Sequence, residues 1–216
     1  MPYKTDSIQK TFSSGEILAN SITHAIGVGL SIAALVMLIV RAIKHGDGWH
    51  LAGFMVFGIS LILLYLTSTI YHSTPSLSGN ALLQRLDHAA IFFLIAGTYT
   101  PFLLTKLRGT FGWIIFGVVW GLSFAALIAK LVFTKRFVKP PVWLYVVMSW
   151  FALIIFNQIM RDIGSASLTF LLIGGAFYTS GILFYLWRKM PFAHAIWHLF
   201  VIGGSVFHFF SVMQLV

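Results

Sequence analysis

Long apolar stretches recur along this chain, each closed by charged or turn-forming residues. The first covers about 19–43 and stops at Lys44-His45-Gly46-Asp47-Gly48; the second covers about 50–72. A polar loop over 73–85 follows, with Pro75 and Gly79 as breakers. The third stretch covers about 86–105, ended by Lys106 and Arg108. The fourth, about 111–133, stops at Lys135-Arg136 ahead of Lys139-Pro140-Pro141. The fifth covers about 142–160 before Arg161-Asp162-Ile163-Gly164, and the sixth about 166–187 before Arg188-Lys189-Met190-Pro191. The seventh covers about 192–216.

A membrane span needs about 20 mostly apolar residues. Backbone polar groups in hydrocarbon must be satisfied within the segment, so spans of this length are helices. A membrane barrel would show segments of about ten residues with alternating polarity, a pattern absent here. The expectation is an all-α polytopic membrane protein, a bundle of seven transmembrane helices. It forms a single domain over 1–216, with a polar N-terminal segment of about 1–18. No linker, low-complexity tract or internal repeat is visible.

Composition sharpens this reading. Of 216 residues, 59% are hydrophobic and only 9% charged, with a mean hydropathy of +0.93. Soluble domains carry about 25% charged residues, so this chain has too few to cover a water-facing surface. The absence of cysteine excludes disulfides and thiolate metal sites. A formal charge of +9 raises the question of nucleic acid, but the lysines and arginines are scattered between hydrophobic segments and form no recognition module. The polar N-terminus lacks the apolar core and cleavage site of a removable signal peptide.

Lysine and arginine placement sets the expected orientation. With the N-terminus inside, the inner loops hold Lys4, Lys10, Arg85, Lys130, Lys135, Arg136, Lys139, Arg188 and Lys189. The outer loops hold Arg41, Lys44, Lys106, Arg108 and Arg161. The excess places the N-terminus in the cytoplasm and the C-terminus outside, in the cell membrane.

Ionisable groups within spans are costly and mark function or a buried polar network. His24, His72, His88, His194, His198 and His208 lie in or at the ends of the expected helices, and Asp87 opens the third. Odd-numbered helices start at the inner face and even-numbered ones finish there. Asn20 and His24, Ser68 and His72, Asp87, and His194 and His198 therefore meet at one depth. His194 and His198 are four apart and share a helix face, as do Ser68 and His72. Three imidazoles with a fourth position open to water are the equipment of a catalytic zinc site, with Asp87 placed to take a proton and Ser68 to orient it. Asn20 and His24 read as a polar network around that site rather than as ligands. His88 points about 100° away from Asp87, and His208 lies about 21 Å along the helix from His194, so both fall outside the set.

Plainer readings stand beside these. A histidine pair at this spacing arises by chance, His72 can cap a helix end, and Asp87 can serve as an N-cap favoured by the helix dipole. Gly117-Val-Val-Trp-Gly121, Gly174-Gly175 and Gly203-Gly204 suit close helix packing within the chain, and Pro101 should kink the third helix.

Taken together, Ser68-Thr-Ile-Tyr-His72, then Asp87, then His194-Ala-Ile-Trp-His198 resembles the signature of the haemolysin III proteins. These group with the progestin and adipoQ receptors. Glu16-Ile-Leu-Ala-Asn20-Ser-Ile-Thr-His24 resembles that family's first-helix motif, although the acid stands four residues before Asn20 where three is expected. Thr98-Tyr-Thr-Pro101 and Val206-Phe-His208-Phe are similar too, so the resemblance runs through the whole chain in order. It implies seven helices and a zinc held by His72, His194 and His198, with Asp87 holding a water and Ser68 supporting it. It also implies kinship with ceramidase-like membrane hydrolases. The leading expectation is a zinc-dependent hydrolase of a lipid amide or ester, with a membrane lipid as substrate. The rivals are a receptor or sensor with a structural zinc, and a pore-former or transporter. The last needs a polar stripe across the whole membrane, whereas the outer halves of the helices read as almost entirely apolar.

Overall fold

The computed structural model describes residues 13–73, 81–132, 142–187 and 189–216. The loop breakers Pro75 and Gly79, and the charges Lys4, Lys10, Lys135, Arg136, Lys139 and Arg188, lie outside the described residues. The elements are α1 (Ser14–His45), α2 (Gly48–Ser73), α3 (Ala81–Leu104), α4 (Thr110–Val132), α5 (Val142–Trp150), a 3-10 turn (Phe151–Ile155), α6 (Phe156–Asp162), α7 (Ser165–Leu186) and α8 (Ala193–Met213). Among the described residues, α1, α2, α3, α4, α7 and α8 are long and apolar enough to cross a membrane, and a shorter apolar segment covers Val142–Ile154. The all-helical polytopic bundle is as the sequence implies.

The first helix begins at Ser14, inside the segment expected to be polar, because a capping box starts it there. Ser13 Oγ accepts from the Glu16 amide at 3.2 Å while Glu16 Oε2 accepts from the Ser13 amide at 2.9 Å. At the other end the chain reverses within Gly46 and Asp47. Asp47 Oδ1 accepts from the amides of Trp49 and His50 at 2.9 and 3.0 Å, starting α2. Backbone and side-chain hydrogen bonds from His50 hold the Asp47 carboxyl below its usual range.

Packing follows chain order: α1 on α2, α2 on α3, α3 on α4, α7 on α8, with α8 closing onto α1. The third helix is the most enclosed, with 67% of its apolar window buried. Small residues set the closest approaches. A Cβ on Gly204 would lie 2.8 Å from the Tyr178 ring, and one on Gly53 2.8 Å from Pro101 Cα. Gly117 and Gly121 behave otherwise: among the described residues nothing lies within 4 Å of a Cβ at either, so this motif packs against no described helix of its own chain, contrary to the plainer expectation.

The fifth span is not one helix. Tyr99 of α3 pushes its hydroxyl into the backbone ladder, donating to the carbonyls of Met148 and Ser149 at 3.0 and 2.9 Å and accepting from the Ala152 amide at 2.7 Å. The Ala152 N–H to Met148 carbonyl bond that a helix requires is thereby replaced by a side chain, a recognised cause of helix interruption. Tyr145 makes a second tie, donating to the His88 carbonyl at 2.9 Å. Hydroxyls thus anchor α5 to α3, and backbone contacts between the two are otherwise sparse.

The interior of the bundle is also less apolar than its sequence suggests. Ser205 Oγ lies 2.7 Å from both the Tyr65 and Tyr178 hydroxyls. Ser167 and Ser211 donate to each other's carbonyls at 2.8 and 2.6 Å. These groups bond helix to helix and use up their capacity in doing so.

Removing the Tyr99 hydroxyl should let α5 and α6 merge while freeing them from α3. Tyr99→Phe is expected to lower stability by about 1–3 kcal/mol, measured as an earlier thermal unfolding midpoint in detergent with helical content kept. An unchanged midpoint would show that the hydroxyl ties nothing.

Candidate metal centre

The seventh span opens on an irregular residue. Phe192 is left-handed, with φ 56°, the sole non-glycine with positive φ among the described residues. This conformation costs an L-residue roughly 1–2 kcal/mol. The Phe192 amide donates to Glu16 Oε1 at 3.1 Å, so the carboxylate that caps α1 also fixes the entry to α8. That is the structural work of Glu16, and it sets where the next two turns fall.

Those turns carry His194 and His198, opposite His72 in the last turn of α2. The Nε2 atoms of His194 and His72 are 3.2 Å apart. One ligand nitrogen from each of His72, His194 and His198 lies within 4.8 Å of the others. The orientation of His198 is set from α1. Its Nδ1 is 3.2 Å from the Asn20 carbonyl and 3.0 Å from Thr23 Oγ1. A carbonyl only accepts, so Nδ1 carries the hydrogen and Nε2 keeps a bare lone pair. That Nε2 is buried without a hydrogen-bond partner, in a residue with no exposed surface.

This donor set suits a metal ion. Imidazole nitrogens about 2.0–2.1 Å from a tetrahedral ion stand about 3.3 Å from one another, close to the His72–His194 separation. An imidazole whose second nitrogen is fixed by a carbonyl is the usual arrangement for a metal-bound histidine. The three histidines can therefore hold a metal.

The expected neighbours contribute in ways that spacing does not reveal. Asn20 acts through its backbone carbonyl, while its side-chain amide is buried with neither atom hydrogen-bonded. His24 meets His198 face to face, centroids 3.5 Å apart and planes at 18°, so it braces the ring rather than bonding to it. Ser68 and Asp87 are both buried and line the same cavity. His88 contributes a carbonyl to Tyr145.

Five residues counted as loop charges belong to helices: Arg41 and Lys44 lie in α1, Arg85 in α3, Lys130 in α4 and Arg161 in α6. Lys130 is 3% exposed and its Nζ has no hydrogen-bond partner. Its charge acts on Asp87 and is opposed by Arg85. Thr23 and Lys130 were the residues missed. A lysine within Leu127-Ile-Ala-Lys130-Leu-Val132 was the available signal, since a charge inside an apolar run asks for a partner.

Ser68, Asp87 and His24 wall one end of a cavity of about 190 Å³ that runs between α3, the broken fifth span, α7 and α8. Its sides are apolar and aromatic, among them Leu94, Phe102 and Leu171, and His208 lines its remote half.

The family model for haemolysin-III related proteins matches residues 14–209. The chain is 45% identical over 202 residues to the hemolysin-3 homolog of Bacillus subtilis (strain 168), covering 94% of this chain and 95% of that one. It is 46% identical over 198 residues to hemolysin-3 of Bacillus cereus, covering 92% and 90%. It is 25% identical over 207 residues to the human monocyte to macrophage differentiation factor, covering 92% and 84%. No solved structure matches significantly.

Metal analysis of purified variants tests the centre. His72→Ala, His194→Ala and His198→Ala should each lose the bound ion. Asn20→Ala should keep it, because the contact comes from the backbone. Thr23→Val should weaken it by about tenfold or more, as the loss of an outer-shell partner does. Full metal content in all three histidine variants would eliminate this site.

Proposed function

Because this chain belongs to the haemolysin-III related family, and because the His24 ring that stacks on His198 also lines an apolar cavity, we propose that it is a zinc-dependent intramembrane hydrolase. The substrate class is a lipid amide or ester, as in ceramidase-like enzymes. The observation that carries this reading is Asp87, buried on the cavity wall together with Ser68 and with His24, whose ring stacks on the His198 imidazole.

In this reading His72, His194 and His198 hold the zinc. When bound, zinc lowers the pKa of a coordinated water to about 7 and polarises a carbonyl oxygen. The protein's part is to position groups and to move a proton. The Asp87 carboxylate takes the proton from the attacking water and returns it to the leaving amine or alkoxide. Ser68 fixes the direction in which that carboxylate points, and the Asn20 carbonyl with Thr23 fixes the His198 ring. The acyl chain lies in the cavity, shielded from water by aliphatic and aromatic walls. Lysine and arginine distribution orients the N-terminus to the cytoplasm, which sets the site beneath the inner leaflet of the cell membrane.

One observation favours a second reading. The triad joins α2 to α8, so a metal there would also staple the bundle, as a receptor or sensor with a structural zinc would require. Loss of metal would then lower thermal stability while Asp87→Asn left any signalling output intact.

The enzyme reading is tested with purified protein of known metal content, offered ceramide-like lipids and phospholipids. Turnover is expected, and Asp87→Ala should cut kcat by about 10²–10⁴-fold with the metal retained. Stoichiometric zinc with no turnover, or turnover indifferent to Asp87→Ala, would refute it.

A further inference from the structure

His208 takes no part in the chemistry above, yet it is 8% exposed and lines the cavity. Its Nε2 is 3.2 Å from the Leu171 carbonyl of α7. Because that carbonyl only accepts, Nε2 bears the hydrogen in the neutral ring and Nδ1 is left an acceptor. That Nδ1 is buried and has no hydrogen-bond partner. The fold makes room for the ring in this position: a Cβ on Gly174 would fall 2.2 Å from His208 Cδ2. The Tyr178 ring holds it edge to face with centroids 5.2 Å apart, and the Tyr178 hydroxyl is engaged by Ser205 at 2.7 Å. The imidazole is thus pinned on two sides with one bare acceptor.

A buried acceptor left unpaired costs about 1–3 kcal/mol, and none of the hydroxyls on the cavity wall bonds to His208 Nδ1. His208 stands ten residues beyond His198 on α8, about 15 Å along the helix. A lipid with its carbonyl at Asp87 and its chain along the cavity would bring the distal half of that chain to this ring.

We propose that His208 is a hydrogen-bond subsite for a donor on the far part of the ligand, and that the cavity selects an acyl chain bearing a hydroxyl in its distal half. This rests on the reading of the cavity as a lipid site, and not on hydrolysis. The chain hydroxyl donates to Nδ1, while the Leu171 carbonyl keeps the ring in the receptive tautomer.

Displacement of a fluorescent fatty acid from the full-length protein in nanodiscs tests it, with stearate and a stearate hydroxylated in its distal half as competitors. Wild type should favour the hydroxylated chain by about tenfold, the worth of relieving one buried acceptor. His208→Leu should bind both chains equally. His208→Gln, whose amide can donate to Leu171 and accept from the hydroxyl, should restore part of the preference and guards against a folding defect in the leucine variant. Equal binding of the two chains by wild type, as expected if a buried water satisfies Nδ1, overturns the subsite and leaves the lipid cavity standing. A preference that survives His208→Leu also overturns it. Failure of either chain to displace the probe removes the lipid cavity itself, and the subsite with it.

Discussion

Hydrocarbon supplies no hydrogen bonds, so each polar atom inside this bundle must find a partner in the protein or remain unsatisfied at a cost of several kcal/mol. Most find one. The Glu16 carboxylate bonds α1's own cap and the Phe192 amide, the Tyr99 hydroxyl serves three backbone groups, and Ser205 serves two tyrosines. Against that background the exceptions carry information. His198 Nε2, both nitrogens of His24, the Asn20 amide, Lys130 Nζ and His208 Nδ1 are buried without hydrogen-bond partners. Arg41 Nε and His50 Nε2, where α1 ends and α2 begins, are unpartnered too, but His198 belongs to the triad, His24 stacks on it, and His24 and His208 line the cavity, places where a ligand would sit.

The sequence makes six of the spans legible because each is an uninterrupted apolar run with a charged or glycine-containing stop. The fifth was legible as apolar but not as broken. What breaks it is a tyrosine 53 residues away in the chain, and no local propensity within 142–160 records that. The triad was legible because both His pairs obey helical spacing and topology brings helix ends to one depth. Lys130 was misplaced because charge counting assigns lysines near span ends to loops, whereas this one is buried within α4. The glycines at 117 and 121 mislead for a related reason: a small-residue motif states that close approach is allowed, not that a partner is present. The partners of His198 were hidden as well, since a backbone carbonyl leaves no signature in residue identity.

Two kinds of contact divide the bundle. The histidines lie where α1, α2 and α8 meet, held by a capping carboxylate, a stacked ring pair and close helix packing. On the other side the fifth span is tethered to α3 by tyrosine hydroxyls with little helix-to-helix contact, and the cavity occupies the space this leaves. Directional bonds hold an element at a set distance without filling the interval, whereas apolar packing would draw it in. Hydroxyl tethering is therefore what keeps a chamber open in a protein otherwise packed tightly.

This division bears on whether a metal here serves chemistry or architecture. A staple needs only the elements it joins, and α1, α2 and α8 already pack without help from α3. Yet a carboxylate on α3 is buried and lines the cavity together with a serine from α2, and a lysine of α4 is buried as well. Burying an acid and an ammonium in an apolar core is seldom favourable on its own account, because desolvation of both charges rivals their attraction. Hydrophobic residues of similar size would hold α3 against α4 at least as well. The cost of burying Asp87 is understandable if that carboxyl serves a ligand in the chamber it lines, a role that a structural ion would not require.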